Sequence, residues 1–237
     1  MGLWARLRSS EPNKEFQPRT VTVLLPVLNR EKWIAAKLDS ILSLNYPQHL
    51  IDTLVISDSS TDRTDEIVRG YMTSANVRLI QVPRGGKAAA LNAGLSQSSG
   101  EILFFTDVRQ PLESQSLRNL VAVFSDPKVG AVSGELIILD GETQESAHIG
   151  LYWKYEKWIR KQMSRIDSFH GVTGCIYALR RNLMEPIPVD TLNDDMYIPL
   201  RVFLNGYRIA FEKNACARDY PTQIDAEFRR KVRTLAC

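Results

Sequence analysis

Glu101-Ile102-Leu103-Phe104-Phe105-Thr106-Asp107-Val108-Arg109 drives an apolar run into an aspartate, skips one residue and ends on an arginine. A run of this kind reads as a buried strand, and in open α/β sheets ligands sit in the crevice outside the carboxyl ends of the strands. Asp107 is therefore expected to face whatever the chain binds, and Arg109 poses the question of what a cation does beside it.

The same pattern extends in both directions. Upstream, Val21-Thr22-Val23-Leu24-Leu25 is a β-branched apolar run that Pro26 is expected to stop, and Trp33, Ala36, Lys37, Ile41 and Leu44 follow at helical spacing. Thr53-Leu54-Val55-Ile56 precedes a helix predicted from Asp62 to Ser74, a strand from Val77 to Val82 precedes a helix from about Lys87, and the strand ending at Thr106 precedes one from about Glu113. Strands alternating with helices predict an α/β fold with a mostly parallel central sheet flanked by helices and right-handed crossovers. Downstream the texture changes: a strand-like Val129 to Ile138, a long amphipathic segment from Ile149 to Ile166, a strand near Cys175 to Leu179, a helix from Asp194 to Leu204 and a strand from Tyr207 to Phe211. Mixed strand order is expected in this half, and a basic helix is expected to close the chain.

Composition sets bounds. The 237 residues are 44% apolar and 24% charged, an ordinary globular mixture. A net charge of +3 with a pI near 8.7 is too mild for a nucleic-acid-binding surface. Cys175, Cys216 and Cys237 are odd in number and lack CxxC spacing, which points away from a disulfide scaffold or zinc site and toward a reducing, cytoplasmic compartment. No stretch approaches the roughly 18 apolar residues a spanning helix needs, and Met1 to Arg8 is too short in its apolar part for a secretory signal. Trp4, the aromatic and basic residues between Tyr152 and Arg165, and the run Arg229 to Arg233 nonetheless suggest a peripheral contact with the cytoplasmic face of a membrane; the ordinary reading of the aromatics is a helix that packs them on the core.

Three further stretches offer chemistry. Asp58 stands at a strand tip, where a carboxylate can accept hydrogen bonds from a base or ribose, while Asp62 opens a helix and reads as its N-cap. Gly85-Gly86-Lys87 is a glycine turn at a helix mouth, where free amides and a cation favour an anion such as phosphate; a plain turn with a solvent-facing Lys87 explains it as well. Asp194-Asp195 places like charges side by side at a helix start, an arrangement that raises one pKa toward the range useful to a general base, although capping accounts for one of them. His148 and His170 are lone histidines with an ordinary structural reading.

Taken in order, Pro26 and Asn29, Asp58, Gly86-Lys87 with Leu91-Asn92, Asp107, Asp194-Asp195 and the closing arginines form a succession that resembles the inverting family 2 glycosyltransferases, which include cellulose, chitin and hyaluronan synthases. The resemblance spans roughly residues 20 to 235. It implies a GT-A type nucleotide-diphospho-sugar transferase fold: a lead-in tail over 1–19, then one domain over 20–237 with a nucleotide-sugar-binding half (20–110), an acceptor-binding and catalytic half (111–220) and a basic C-terminal helix (221–237). It further implies that Pro26 and Asn29 belong to the first-strand motif and Asp58 holds the base, usually uracil. Lys87 would lie near the nucleotide, and Asp107 would be the first carboxylate of an Asp-x-Asp motif that holds Mg²⁺ or Mn²⁺ on the donor diphosphate. Asp195 would be the catalytic base, with Asp194 in the preceding acidic position. The implied donor is a UDP-sugar and the acceptor a glycan or glycolipid. The polymerising members' Gln-x-x-Arg-Trp motif is not matched: Arg229 to Thr234 supplies arginines without the glutamine or tryptophan.

Arg109 occupies the second Asp-x-Asp position, and an arginine cannot ligate a metal. Asp107 could still hold the ion with help from diphosphate oxygens and water; Arg109 could bind diphosphate in the metal's place through its planar fork; or it could be an outward ion-pair partner in a catalytically impaired nucleotide-sugar-binding protein. A sugar nucleotidyltransferase would need a glycine-rich loop after the first strand, and a dehydrogenase a Gly-x-Gly-x-x-Gly there; Pro26-Val27-Leu28-Asn29 has neither.

Overall fold

The computed structural model describes residues 15–73, 76–138 and 172–219. Seven strands, β1 (Val21–Val27), β2 (Ile51–Asp58), β3 (Val77–Val82), β4 (Ile102–Thr106), β5 (Val129–Ile138), β6 (Ile176–Arg180) and β7 (Arg208–Asp219), form one sheet in the order β3-β2-β1-β4-β6-β5-β7. All pairings are parallel except those of β6, which runs against both β4 and β5. Five α-helices accompany the strands among the described residues: α1 (Ile34–Leu42), α2 (Thr64–Tyr71), α3 (Gly86–Gln97), α4 (Ser116–Val123) and α5 (Asp194–Leu204).

Both faces of the sheet are covered, so β1, β2 and β4 are buried on both sides rather than alternating. Val23, Leu25 and Phe104 join α1, α2 and α4 in one cluster, while Leu24, Leu103 and Phe105 pack with Leu91 of α3 and Ile198 and Val202 of α5 in the other. β1, β2 and β3 step outward in one direction and β4 returns to the opposite flank of β1, so the strand order reverses between β1 and β4. The carboxyl ends of β1, β2 and β4 therefore open onto one crevice. Gly100 permits the tight entry into β4, because a Cβ there would lie 2.5 Å from the Thr22 amide nitrogen.

Several expectations shift. Pro26 does not stop β1; the strand continues to Val27, and Pro26 falls past the last residue paired with β4, where a missing N–H costs least. The buried face of α1 is Ile34, Lys37, Leu38 and Ile41, with Trp33 41% exposed, because the apolar stripe lies one residue further along than spacing from Trp33 suggests. Structure also begins before residue 20. Phe16 packs edge-on against Tyr46 at 5.7 Å, and the Tyr46 hydroxyl donates to the Arg19 carbonyl (2.7 Å) and accepts from the Arg19 amide (2.8 Å). β7 extends to Asp219 rather than ending near Phe211. The segment Ile149 to Ile166, His148, His170 and the closing basic helix lie outside the described residues. Among the described residues no helix is long and apolar enough to cross a membrane.

Candidate active site

Four of the sequence-predicted residues meet in the crevice. Lys87, one residue into α3, projects its Nζ to 3.4 Å from Asp107 Oδ1, just beyond β4, and to 3.1 Å from Asp194 Oδ2, the first residue of α5. Lys87 is thus neither buried away nor simply solvent-facing: its side chain is 40% exposed while bridging two carboxylates. Burial works against its charge, but Asp107, Asp194 and Asp195 outweigh that cost and hold its pKa above the ordinary lysine value. Apart from this ion pair, Asp194 Oδ2 is a buried oxygen without a hydrogen-bond partner. Asp195 is half-buried beside it; burial first, then the neighbouring Asp194 and Asp107, push its carboxyl above the usual range, with Lys87 opposing. Room for Asp195 comes from Gly174, where a Cβ would lie 2.9 Å from Asp195 Oδ2.

Asp58 and Asn29 act on the loops around this group. Asp58, the last residue of β2, accepts the Gly85 amide (2.7 Å) and the Gly86 amide (3.0 Å) on its two oxygens. The amides that a phosphate could have claimed at the mouth of α3 are therefore taken by a carboxylate, and the turn presenting Lys87 is fastened to β2. Asn29, in the left-handed region at φ 51°, accepts the Thr61 amide (2.8 Å) on Oδ1, joining the end of β1 to the loop after β2. Pro26 lies just below, paired in register with Ile56. Asn92 of α3 grips the Ile187 backbone at both its N–H (2.9 Å) and its carbonyl (2.7 Å), tying the loop that leads to α5 onto α3.

Arg109 meets Asp219, the last residue of β7. Its Nε donates to Asp219 Oδ1 (2.9 Å) and one terminal nitrogen reaches both carboxylate oxygens at 2.7 Å, while Gln110 Nε2 adds a bond to Asp219 Oδ2 (2.8 Å). Arg109 is thus ion-paired with a buried carboxylate, not an outward one. Among the described residues no group of three or more His, Cys, Asp or Glu is placed to hold a metal; Asp107, 42% exposed at the crevice, is a carboxylate that could hold one. A single carboxylate suits a divalent ion whose remaining ligands are substrate phosphates and water.

A family model described as glycosyl transferase family 2 matches residues 22–187, more than half of the chain. The chain belongs to glycosyl transferase family 2. Similar proteins include the probable glycosyltransferase YdaM of Bacillus subtilis, 28% identical over 81% of this chain and 48% of that protein, and the poly-beta-1,6-N-acetyl-D-glucosamine synthase of Staphylococcus epidermidis, 24% identical over 92% and 54%. The chain spans about half the length of these relatives. Among solved structures, the mannosyltransferase PcManGT from Pyrobaculum calidifontis, in complex with GDP-Man and Mn²⁺, superposes with a TM-score of 0.84 at 25% identity, covering 98% of this chain and 66% of that one. S. aureus TarS residues 1–349 with UDP-GlcNAc superposes at 0.66 and 18% identity over 86% and 59%, a likeness of fold. The sheet is that of the GT-A glycosyltransferases.

Within this family 2 framework, sequence reading overlooked four residues that shape the site: Lys37, Gln110, Gly174 and Asp219. Only Lys37 left a signal, a cation inside an otherwise apolar helical stripe. The others bear on the site through contacts that only the folded chain makes.

Proposed function

We propose that the chain is the donor-binding catalytic unit of an inverting glycosyltransferase that moves a sugar from a nucleotide-diphosphate donor, probed first as a UDP-sugar, to a glycan or lipid-linked acceptor. The observation that carries this reading is the convergence of Lys87, Asp107, Asp194 and Asp195 at the carboxyl ends of the strands, with Lys87 within 3.4 Å of carboxylates from two separate elements. The donors printed for PcManGT and TarS, GDP-Man and UDP-GlcNAc, support the nucleotide-sugar class, and relatives named as a polysaccharide synthase and a beta-monoglucosyldiacylglycerol synthase support the acceptor class.

In such a transfer the acceptor hydroxyl attacks the anomeric carbon from one face, its proton passes to a carboxylate, and the bond to the diphosphate breaks on the opposite face. Asp195 is the base in this scheme: partial burial and Asp194 raise its proton affinity above that of an ordinary aspartate, and general-base assistance is worth about 10² to 10⁴ in rate. The Lys87 ammonium faces the charge that develops on the leaving diphosphate, and Asp58 keeps it there by fixing the Gly85–Gly86 turn. A divalent cation held by Asp107 would supply further neutralisation of that charge. Asp195→Asn is expected to lower transfer by about 10² to 10⁴ while UDP affinity changes by less than about threefold. Release of nucleotide from UDP-GlcNAc, GDP-mannose and a dTDP-sugar measures the first, calorimetry the second; retained transfer would remove Asp195 from the base role, and UDP binding without turnover of any donor would point to a binding protein.

A further inference from the structure

The turn that carries Asp107 is held from inside the protein by a residue 70 positions earlier. Lys37 sits on the buried face of α1 with 1% exposure, between Ile34, Leu38 and Ile41. Its Nζ donates to Thr106 Oγ1 and to the Gln110 carbonyl, both at 2.6 Å. Those acceptors bracket Asp107 and Arg109: Thr106 is the last residue of β4, and Gln110 closes the turn. The clamp is itself anchored, since Thr106 Oγ1 donates to the Cys175 carbonyl at 2.8 Å beside β6, and the Gln110 side chain donates to Asp219. A buried ammonium is costly wherever it is placed, and a methionine would fill the same volume without that cost. Packing therefore does not account for a lysine here, whereas two short bonds across the 106–110 turn do.

We propose that Lys37 is the positioning residue for Asp107: it draws both ends of the 106–110 turn onto one buried ammonium and so sets the carboxylate that faces Lys87 and the donor diphosphate. The inference rests on the crevice being the donor site. Lys37→Met removes the ammonium at nearly constant volume, and Thr106→Val removes one of its acceptors. In the 237-residue chain, Lys37→Met is expected to unfold close to the wild-type temperature, because relief of the costly buried amino group offsets the bond lost at the Gln110 carbonyl. Its kcat/KM for nucleotide release is expected to fall roughly 10- to 100-fold, as for a reacting group displaced by about 1 Å. Amide hydrogen exchange in 106–110 is expected to accelerate at least tenfold while β2 stays protected, and the double variant is expected to lose little more than either single one. A merely structural lysine would instead lower melting temperature and activity together. Unchanged exchange in 106–110, or unchanged kcat/KM on a donor that wild type turns over, overturns the proposal. If wild type releases nucleotide from none of the donors, the transferase reading fails instead, and the exchange comparison still decides whether Lys37 clamps the turn.

Discussion

Arg109 shows how a single side chain can be reassigned by its surroundings. A guanidinium standing where the family resemblance implies a second metal-binding carboxylate invites a role on the diphosphate, yet its planar fork is filled by Asp219, whose side chain is 6% exposed. Reverting position 109 to the acidic residue would therefore not simply restore an Asp-x-Asp motif. It would set a carboxylate against the buried Asp219 in place of the guanidinium that now meets it. Breaking a buried pair costs about 3 to 5 kcal/mol; with Arg109 about a third exposed, Arg109→Asp is expected to lose roughly 2 to 3 kcal/mol in urea unfolding. Unchanged midpoints would show that the pair does not hold the turn. Asp194 and Asp195 permit a second test at this scale. Because Asp194 helps to push the Asp195 carboxyl up, the acid limb of the kcat/KM profile is expected above the ordinary aspartate range, and Asp194→Asn should move that limb to lower pH. A limb that stays in place would assign it to another group.

At the scale of elements, the start of α5 is brought to the crevice by the reversed strand β6 and the residues before it. The Val172 amide donates to the Asp195 carbonyl at 3.2 Å, and Gly174 passes so close that any side chain would press on the Asp195 carboxylate. Gly174→Ala is accordingly expected to leave the melting temperature nearly unchanged, since a half-buried carboxylate can swing aside, while turnover falls by about 10² and UDP affinity holds. Equal loss of nucleotide binding and turnover would mean that the whole loop, and not the carboxylate alone, had moved. α3 is fixed at its start by Asp58 and in its middle by the grip of Asn92 on Ile187. Lys87 is thereby presented by a helix that cannot rotate independently of either half.

Across the whole molecule, a parallel half (β3-β2-β1-β4) and a mixed half (β6-β5-β7) share one sheet, and the buried Lys37 lies beneath the seam where β4 meets β6. Burial lowers its pKa to about 7, opposed by Asp107; the Cys175 thiol, which burial pushes up to about 12, stays neutral across the relevant range. The unfolded lysine titrates at 10.5 and the folded one at about 7, so between these pH values the unfolded chain binds more protons and stability rises with pH. The contribution is complete above 10.5 and is lost as pH falls through about 7. Urea unfolding of wild type and Lys37→Met between those limits should show wild type gaining on the variant as pH rises; parallel curves would mean that the lysine titrates near its ordinary value. Much of this architecture was legible in the chain itself. β4, β5 and α5 have the boundaries that apolar period and turn residues indicate, and the order of Asp58, Lys87, Asp107 and Asp194-Asp195 marked the family, because strand and helix periodicity and strand-end carboxylates are local properties. What a lysine, an arginine or a glycine does at the crevice was decided by residues far away in sequence. Lys37 meets Gln110, Arg109 meets Asp219 and Gly174 meets Asp195 only after the sheet has formed, and no local pattern encodes which charge a buried charge will find.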